Sequence, residues 1–130
     1  TESPTLEALE SIHARKTGAM FQASLRLGAL VAAASAEQTA ALEHYGRAIG
    51  LAFQIIDDLL DVSGSEAIAG KRVGKDADRG KLTFPGFLGV AQSRSRAEAL
   101  IAEACIALAP LGSGGDGLEA LARYVLERDR

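Results

Sequence analysis

An all-α helical bundle is the fold class this 130-residue sequence predicts, and three observations carry it. Apolar residues recur at helical spacing through most of the chain, no segment alternates apolar and polar residues in the manner of a half-buried strand, and Ser, Thr, Pro and Gly sit where helices would begin and end. With 48% hydrophobic and 24% charged residues, residues 1–130 make one ordinary globular domain able to bury a core.

Taken in order, Ser3 and Pro4 read as a helix start, the serine as cap and the proline in the first turn, with Leu6, Leu9 and Ile12 on the buried side. A second helix is expected from Thr17 through "GAMFQASLRLGALVAAA", and a third from about Glu37 to Val62. Residues 64–81, "GSEAIAGKRVGKDADRGK", lack a period and are rich in glycine and charge, which reads as a long loop. Two helices are expected in "LTFPGFLGVAQSRSRAEALIAEACIALAPL", followed by a flexible "GSGGDG" and a last helix, "LEALARYVLERDR". Gly18, Ala19, Ala23, Gly28 and Ala32 would let helices pack closely.

The bulk properties exclude several classes. A net charge of −3 argues against a nucleic-acid surface. The most apolar stretch, "LGALVAAASA", has about half of the roughly 20 residues that a membrane span needs. The start "TESPTLEALESIHARK" lacks the basic and apolar blocks of a secretory signal. The lone Cys105 reads as a reduced, buried thiol, and a cytoplasmic location is expected.

The informative stretch is residues 53–62, "FQIIDDLLDV". On a helix turning 100° per residue, Gln54, Asp57, Asp58 and Asp61 share a stripe about 100° wide, while Ile49, Leu51, Phe53, Ile55, Ile56, Leu59, Leu60 and Val62 make the rest apolar. A helix apolar nearly all round is buried among others, so the acidic stripe is expected to face an internal cavity. Carboxylates gathered there are costly unless a cation compensates them. Short carboxylates with no His or Cys beside them suit a hard ion, and magnesium is commonly held by one or two carboxylates together with substrate phosphates. The bland alternative is a solvated acidic face, against which stands its confinement to so short a stretch.

Cations lie close in sequence. Lys71, Arg72, Lys75, Arg79 and Lys81 crowd the loop, either as a cationic flap over the stripe or as a plain solvated run. The segment "GSEAIAGKR" fails the P-loop pattern in glycine spacing, in the residue after Lys71 and in the absence of a preceding strand. Upstream, "RKTGAM" puts Lys16 and Thr17 at an expected helix start, where free N–H groups and the helix dipole would favour an anion; a capping threonine beside a surface lysine is the local alternative. Magnesium carboxylates, phosphate-binding lysines and an apolar cavity together suit a polyanionic ligand with a greasy body, as in an isoprenoid diphosphate. His13 and His44 read as helix-surface residues without a role. Arg128 and Arg130 read as a solvated tail, with an approach to a bound diphosphate in a closed state as the alternative, and Phe53, Phe84 and Phe87 as core in preference to pocket lining.

"ARKTGAM", "FQIIDDLLDV" and "GKRVGKDADRGKLTFP", in that order, resemble the C-terminal half of the trans-isoprenyl diphosphate synthases, the polyprenyl synthetase family, with the nearest likeness to bacterial farnesyl diphosphate synthases. The resemblance implies the all-α isoprenoid synthase fold and a magnesium-dependent prenyltransferase. Such an enzyme condenses isopentenyl diphosphate with an allylic diphosphate, dimethylallyl or geranyl, to a short-chain isoprenoid diphosphate such as farnesyl diphosphate, releasing pyrophosphate. It implies metal ligation by Asp57, Asp58 and Asp61, catalytic and substrate-binding roles for Lys16, Thr17, Gln54, Lys71 and Lys81, an outer-shell role for Asp76, and a homodimer.

The family's first aspartate-rich motif and the basic residues that bind isopentenyl diphosphate have no counterpart in residues 1–56, where Glu7, Glu10, Glu37 and Glu43 form no paired cluster. The chain alone is therefore expected to hold half a site and to be inactive. A helical subunit that completes a site with a partner chain is the alternative expectation, and a structural domain with acidic decoration is a third.

Overall fold

The computed structural model describes residues 5–68 and 83–128, and these are helical almost throughout. The order is α1 (Leu6–His13), a π-helical turn (Ala14–Gly18), α2 (Ala19–Val31), α3 (Ala36–Ile68), α4 (Phe84–Ala107), a 3-10 segment (Ala109–Gly115) and α5 (Asp116–Glu127). Among the described residues there is no strand. No single helix is long and apolar enough to cross a membrane.

Several boundaries differ from the sequence expectation, each for a local reason. Thr5 caps α1, its hydroxyl accepting the Ala8 N–H at 3.0 Å; Ser3 and Pro4, where the start was expected, lie outside the described residues. No helix begins at Thr17. His13, Gly18 and Ala19 all keep right-handed helical dihedrals, so the chain runs from α1 into α2 through a π-turn, which absorbs an extra residue without ending the helix. Helix α3 is 33 residues long and continues to Ile68, so 64–68 are helical where a loop was expected. The "GSGG" stretch belongs to the 3-10 segment, turned at Gly112 with φ 55°.

Helix α2 stops in a Schellman arrangement: Ala33 N–H bonds to Leu30 O at 3.2 Å and Ala34 N–H to Ala29 O at 2.9 Å. This requires a left-handed residue at Ala33, φ 54°, a position usually given to glycine. Ser35 and Gln38 then open α3 with a reciprocal capping box, Gln38 N–H to Ser35 Oγ at 3.1 Å and Ser35 N–H to Gln38 Oε1 at 3.0 Å. The expected pair of helices after the loop appears as α4, divided at Gly89, whose φ of 80° and ψ of 164° are outside any helix.

Helix α3 is the axis on which the other elements pack. Ile49, Ile55, Ile56 and Ala52 are fully buried, together with Phe84, Ala97 and Ala104 of α4 and Ala122 of α5. Each large apolar side chain so buried contributes roughly 1.5–3 kcal/mol over its exposed state. Small residues bring the π-turn close to α3: a Cβ built on Gly50 would lie 3.4 Å from Gly18 Cα. Tyr45 crosses the core, and its hydroxyl donates to Leu118 O at 2.7 Å, tying α3 to α5. Cys105, expected to be buried, is partly buried and packs against the core.

Candidate diphosphate and metal site

Three elements meet the acidic stripe of α3, each at a different residue. The π-turn meets it at Gln54, whose Nε2 donates to Thr17 Oγ1 at 2.7 Å in a partly buried contact. The start of α4 meets it at Asp58: the Phe84 N–H donates to Asp58 Oδ2 at 3.0 Å. Thr83 caps that same helix end, accepting the Gly86 N–H at 3.1 Å. A carboxylate at the first N–H of a helix is well placed, because the dipole there favours negative charge. The end of α5 meets the stripe at Asp57, which is ion-paired with Arg128.

Arg128 is therefore no solvated tail. Its guanidinium also donates to Phe53 O at 3.3 Å and lies 4.2 Å over the Phe53 ring, and Phe53 in turn packs on Phe21. The pull is electrostatic, a cation against a carboxylate and an aromatic face. No pattern local to "ERDR" marks this contact, which joins residues far apart in the chain.

His13 is another residue the sequence reading misplaced. Its ring stacks on Phe84 with centroids 5.4 Å apart and planes 20° apart, and Nε2 is buried with no hydrogen-bond partner among the described residues. Burial lowers its pKa from the ordinary 6.5, Asp58 pulls the other way, and Lys16 adds a smaller lowering. The signal lay in "HARKT", which puts His13 about one helical turn before Lys16 and Thr17, on the face that meets α3 and α4. His44, by contrast, is exposed and bonded to Glu103 at 2.7 Å.

Of the residues singled out by sequence, Thr17, Gln54, Asp57 and Asp58 are brought together at half-buried positions, while Lys16 and Asp61 are exposed. Among the described residues the stripe lies at the edge of the packed face of α3, Asp57 and Asp58 half-buried and Asp61 exposed. Packing covers the Ile55, Ile56 and Leu59 sides of α3, and the aspartates lie at the margin of that contact. Lys71, Lys81 and Asp76 lie outside the described residues. Among the described residues no three His, Cys, Asp or Glu side chains converge into a ready-made metal cage.

An apolar groove of about 460 Å³, lined by Leu25, Gly28, Ala32, Leu42, Leu111 and Leu118 among others, is elsewhere. Leu42 precedes Asp57 by about 22 Å along α3 at 1.5 Å per residue.

The donor set still suits magnesium. It consists of carboxylate oxygens at i, i+1 and i+4 of one helix, with no sulfur ligand and no imidazole bonded to them among the described residues. Asp57 and Asp58 are already met by a guanidinium and a helix N–H, as carboxylates that require positive charge would be.

The chain belongs to the polyprenyl synthetase family, whose profile, "Polyprenyl synthetase", matches residues 1–107. It is 45% identical over 129 residues to farnesyl diphosphate synthase of Escherichia coli strain K12, covering 96% of this chain and 43% of that protein. Among solved structures it resembles an FPP/GFPP synthase from Zymomonas mobilis, with TM-score 0.75 and 35% identity over 97% of this chain and 40% of that one. A polyprenyl synthase from Roseobacter denitrificans gives TM-score 0.80 and 30% identity over 96% and 54%. The chain thus spans about half the length, or less, of the relatives it matches.

Proposed function

We propose that this chain supplies the second aspartate-rich half of a magnesium-dependent prenyltransferase site. The whole protein would condense isopentenyl diphosphate with dimethylallyl or geranyl diphosphate to a short-chain isoprenoid diphosphate, farnesyl diphosphate by its likeness to the Escherichia coli enzyme, and release pyrophosphate. The observation that carries this reading is the meeting of the π-turn, α4 and α5 on one acidic stripe, with Lys16 and Thr17 beside Gln54.

The reaction's difficulty is charge. Breaking an allylic C–O bond leaves a carbocation and a pyrophosphate, and a site lowers that barrier by holding positive charge ready for the leaving group. Asp57, Asp58 and Asp61 would hold the magnesium, which supplies that charge and fixes the diphosphate's direction. Lys16 stands exposed on the π-turn, free to reach a diphosphate oxygen. Thr17 holds Gln54 by its amide nitrogen, leaving the amide oxygen available to the cation or to the substrates. Phe84 N–H steadies Asp58 from the second helix. Lys71 and Lys81, closing over the diphosphate, would exclude water that otherwise quenches the cation, and Asp76 would orient one of them or the metal's outer shell. The cytoplasmic location and the homodimer implied by the resemblance belong to the same proposal.

Residues 1–130 contain no counterpart of the family's first aspartate-rich motif, and this chain by itself is expected to condense nothing. The test mixes it with radiolabelled isopentenyl diphosphate, geranyl diphosphate and magnesium, with and without a separately produced N-terminal half of a related synthase. Product only in the mixture of halves supports the proposal. Product from this chain alone contradicts the half-site, and no product from the mixture contradicts the prenyltransferase reading.

A further inference from the structure

Arg128 is the first residue beyond α5, a place where long cations usually extend into water. Here its side chain is only 21% exposed. One terminal nitrogen, Nη2, makes both polar contacts, to Asp57 Oδ1 and to Phe53 O, while the Nε–H is buried and has no partner among the described residues. An arginine docked for its own stability presents its fork and satisfies both edges. This one leaves a buried donor unpaired, a cost that offsets part of what the contact contributes. The seat is set by the carboxylate and the aromatic face, not by the guanidinium's own requirements.

We infer that Arg128 is a built-in counter-cation for Asp57, holding that carboxylate when no metal is present and competing with a divalent cation for it. The inference rests on the reading of the stripe as a metal–diphosphate site. A divalent ion on Asp57 would lie within a few ångströms of the guanidinium, where like charges repel strongly in a partly desolvated setting. Metal entry and the Arg128 contact therefore exclude one another, and the unsatisfied Nε–H keeps the cost of release low. The C-terminal end of α5 is thereby coupled to the metal state of α3, two elements also joined by the Tyr45 to Leu118 bond.

The test titrates the chain with Mn2+ alone, reading free Mn2+ by electron paramagnetic resonance, for wild type, Arg128→Gln, Arg128→Lys and Asp57→Asn, with circular dichroism confirming that each is folded. Arg128→Gln should bind Mn2+ about fivefold more tightly or better, because a charge-assisted contact to the ligating carboxylate is gone. Arg128→Lys should stay near wild type, and Asp57→Asn should bind weakly. Unchanged or weaker binding by Arg128→Gln, with Asp57→Asn still impaired, overturns the competition and leaves the metal site standing. Equal gains in the Gln and Lys variants also overturn it, since packing rather than charge would then be responsible. No Mn2+ bound by either wild type or Arg128→Gln removes the metal-site reading itself, and the inference with it.

Discussion

The side-chain amide of Gln54 donates to the hydroxyl of Thr17 at 2.7 Å, one turn along α3 from the place where Gly50 lies against Gly18. The bond fixes the rotation of the π-turn relative to the acidic stripe, so that Thr17 and the aspartates share a neighbourhood although they come from separate helices. Thr17→Val keeps the shape and removes the acceptor, leaving a partly buried amide donor unpaired. Urea denaturation should show a loss of about 1–2 kcal/mol, whereas Thr17→Ser should retain most of the stability.

Two backbone positions predict opposite responses to the same pair of residues. Ala33 is left-handed in the Schellman turn, with φ 54°, and Ala33→Gly should stabilise by about 1 kcal/mol by relieving that strain. Gly89 has φ 80° and nothing within 4 Å of an added Cβ, so Gly89→Ala should cost roughly 1–3 kcal/mol through the backbone alone. Gly28, also with open space around it but inside α2, is the control: Gly28→Ala should be neutral or gain up to about 1 kcal/mol. Thermal unfolding of the three variants separates backbone strain from packing.

The helical class, most of the helices and the residues of the stripe were legible because each depends on nearby residues: the 3.6-residue period, the capping residues and the carboxylates at i, i+1 and i+4. What failed depends on contacts distant in the chain or on a local geometry with no sequence marker. Thr17 carries the chemistry of a helix cap, and nothing in "ARKTGAM" distinguishes a cap from a π-turn that lets the helix continue. The stacking of His13 on Phe84 and the seat of Arg128 on Asp57 follow from tertiary packing of α4 and α5. Apolar surroundings along a helix specify burial of the helix, not what covers each face, so the sequence did not show that Asp57 and Asp58 would be half-buried and Asp61 exposed among the described residues.

The partly buried His13 ring makes stability depend on pH in a defined sense. Its folded pKa lies below the ordinary 6.5, so the unfolded chain takes up the proton first. Its contribution is fully present above about pH 6.5 and is lost as pH falls through that value toward the folded pKa. His13→Phe keeps a ring on Phe84 and removes the titration. The wild type should lose melting temperature relative to this variant between about pH 7.5 and 5.5, and a constant difference would show that the ring's protonation is not linked to folding.

Helix α3 begins on the reciprocal Ser35 and Gln38 contacts. Ser35→Ala should cost about 1 kcal/mol, visible as a lower urea midpoint. Ser35→Asp, which keeps an acceptor and adds a charge favourable to the helix dipole, should restore it.

Asp57, Asp58 and Asp61 are proposed above as part of a magnesium–diphosphate site. The most direct test of that role is calorimetric titration of inorganic pyrophosphate into the chain, with and without magnesium, for wild type and for the Asp57→Asn, Asp58→Asn double variant checked for fold by circular dichroism. Wild type should bind weakly, only with magnesium, and the double variant not at all. Binding that is indifferent to magnesium, or equal in the two proteins with the variant the more stable, would contradict that role and identify the aspartates as decoration on a structural helix.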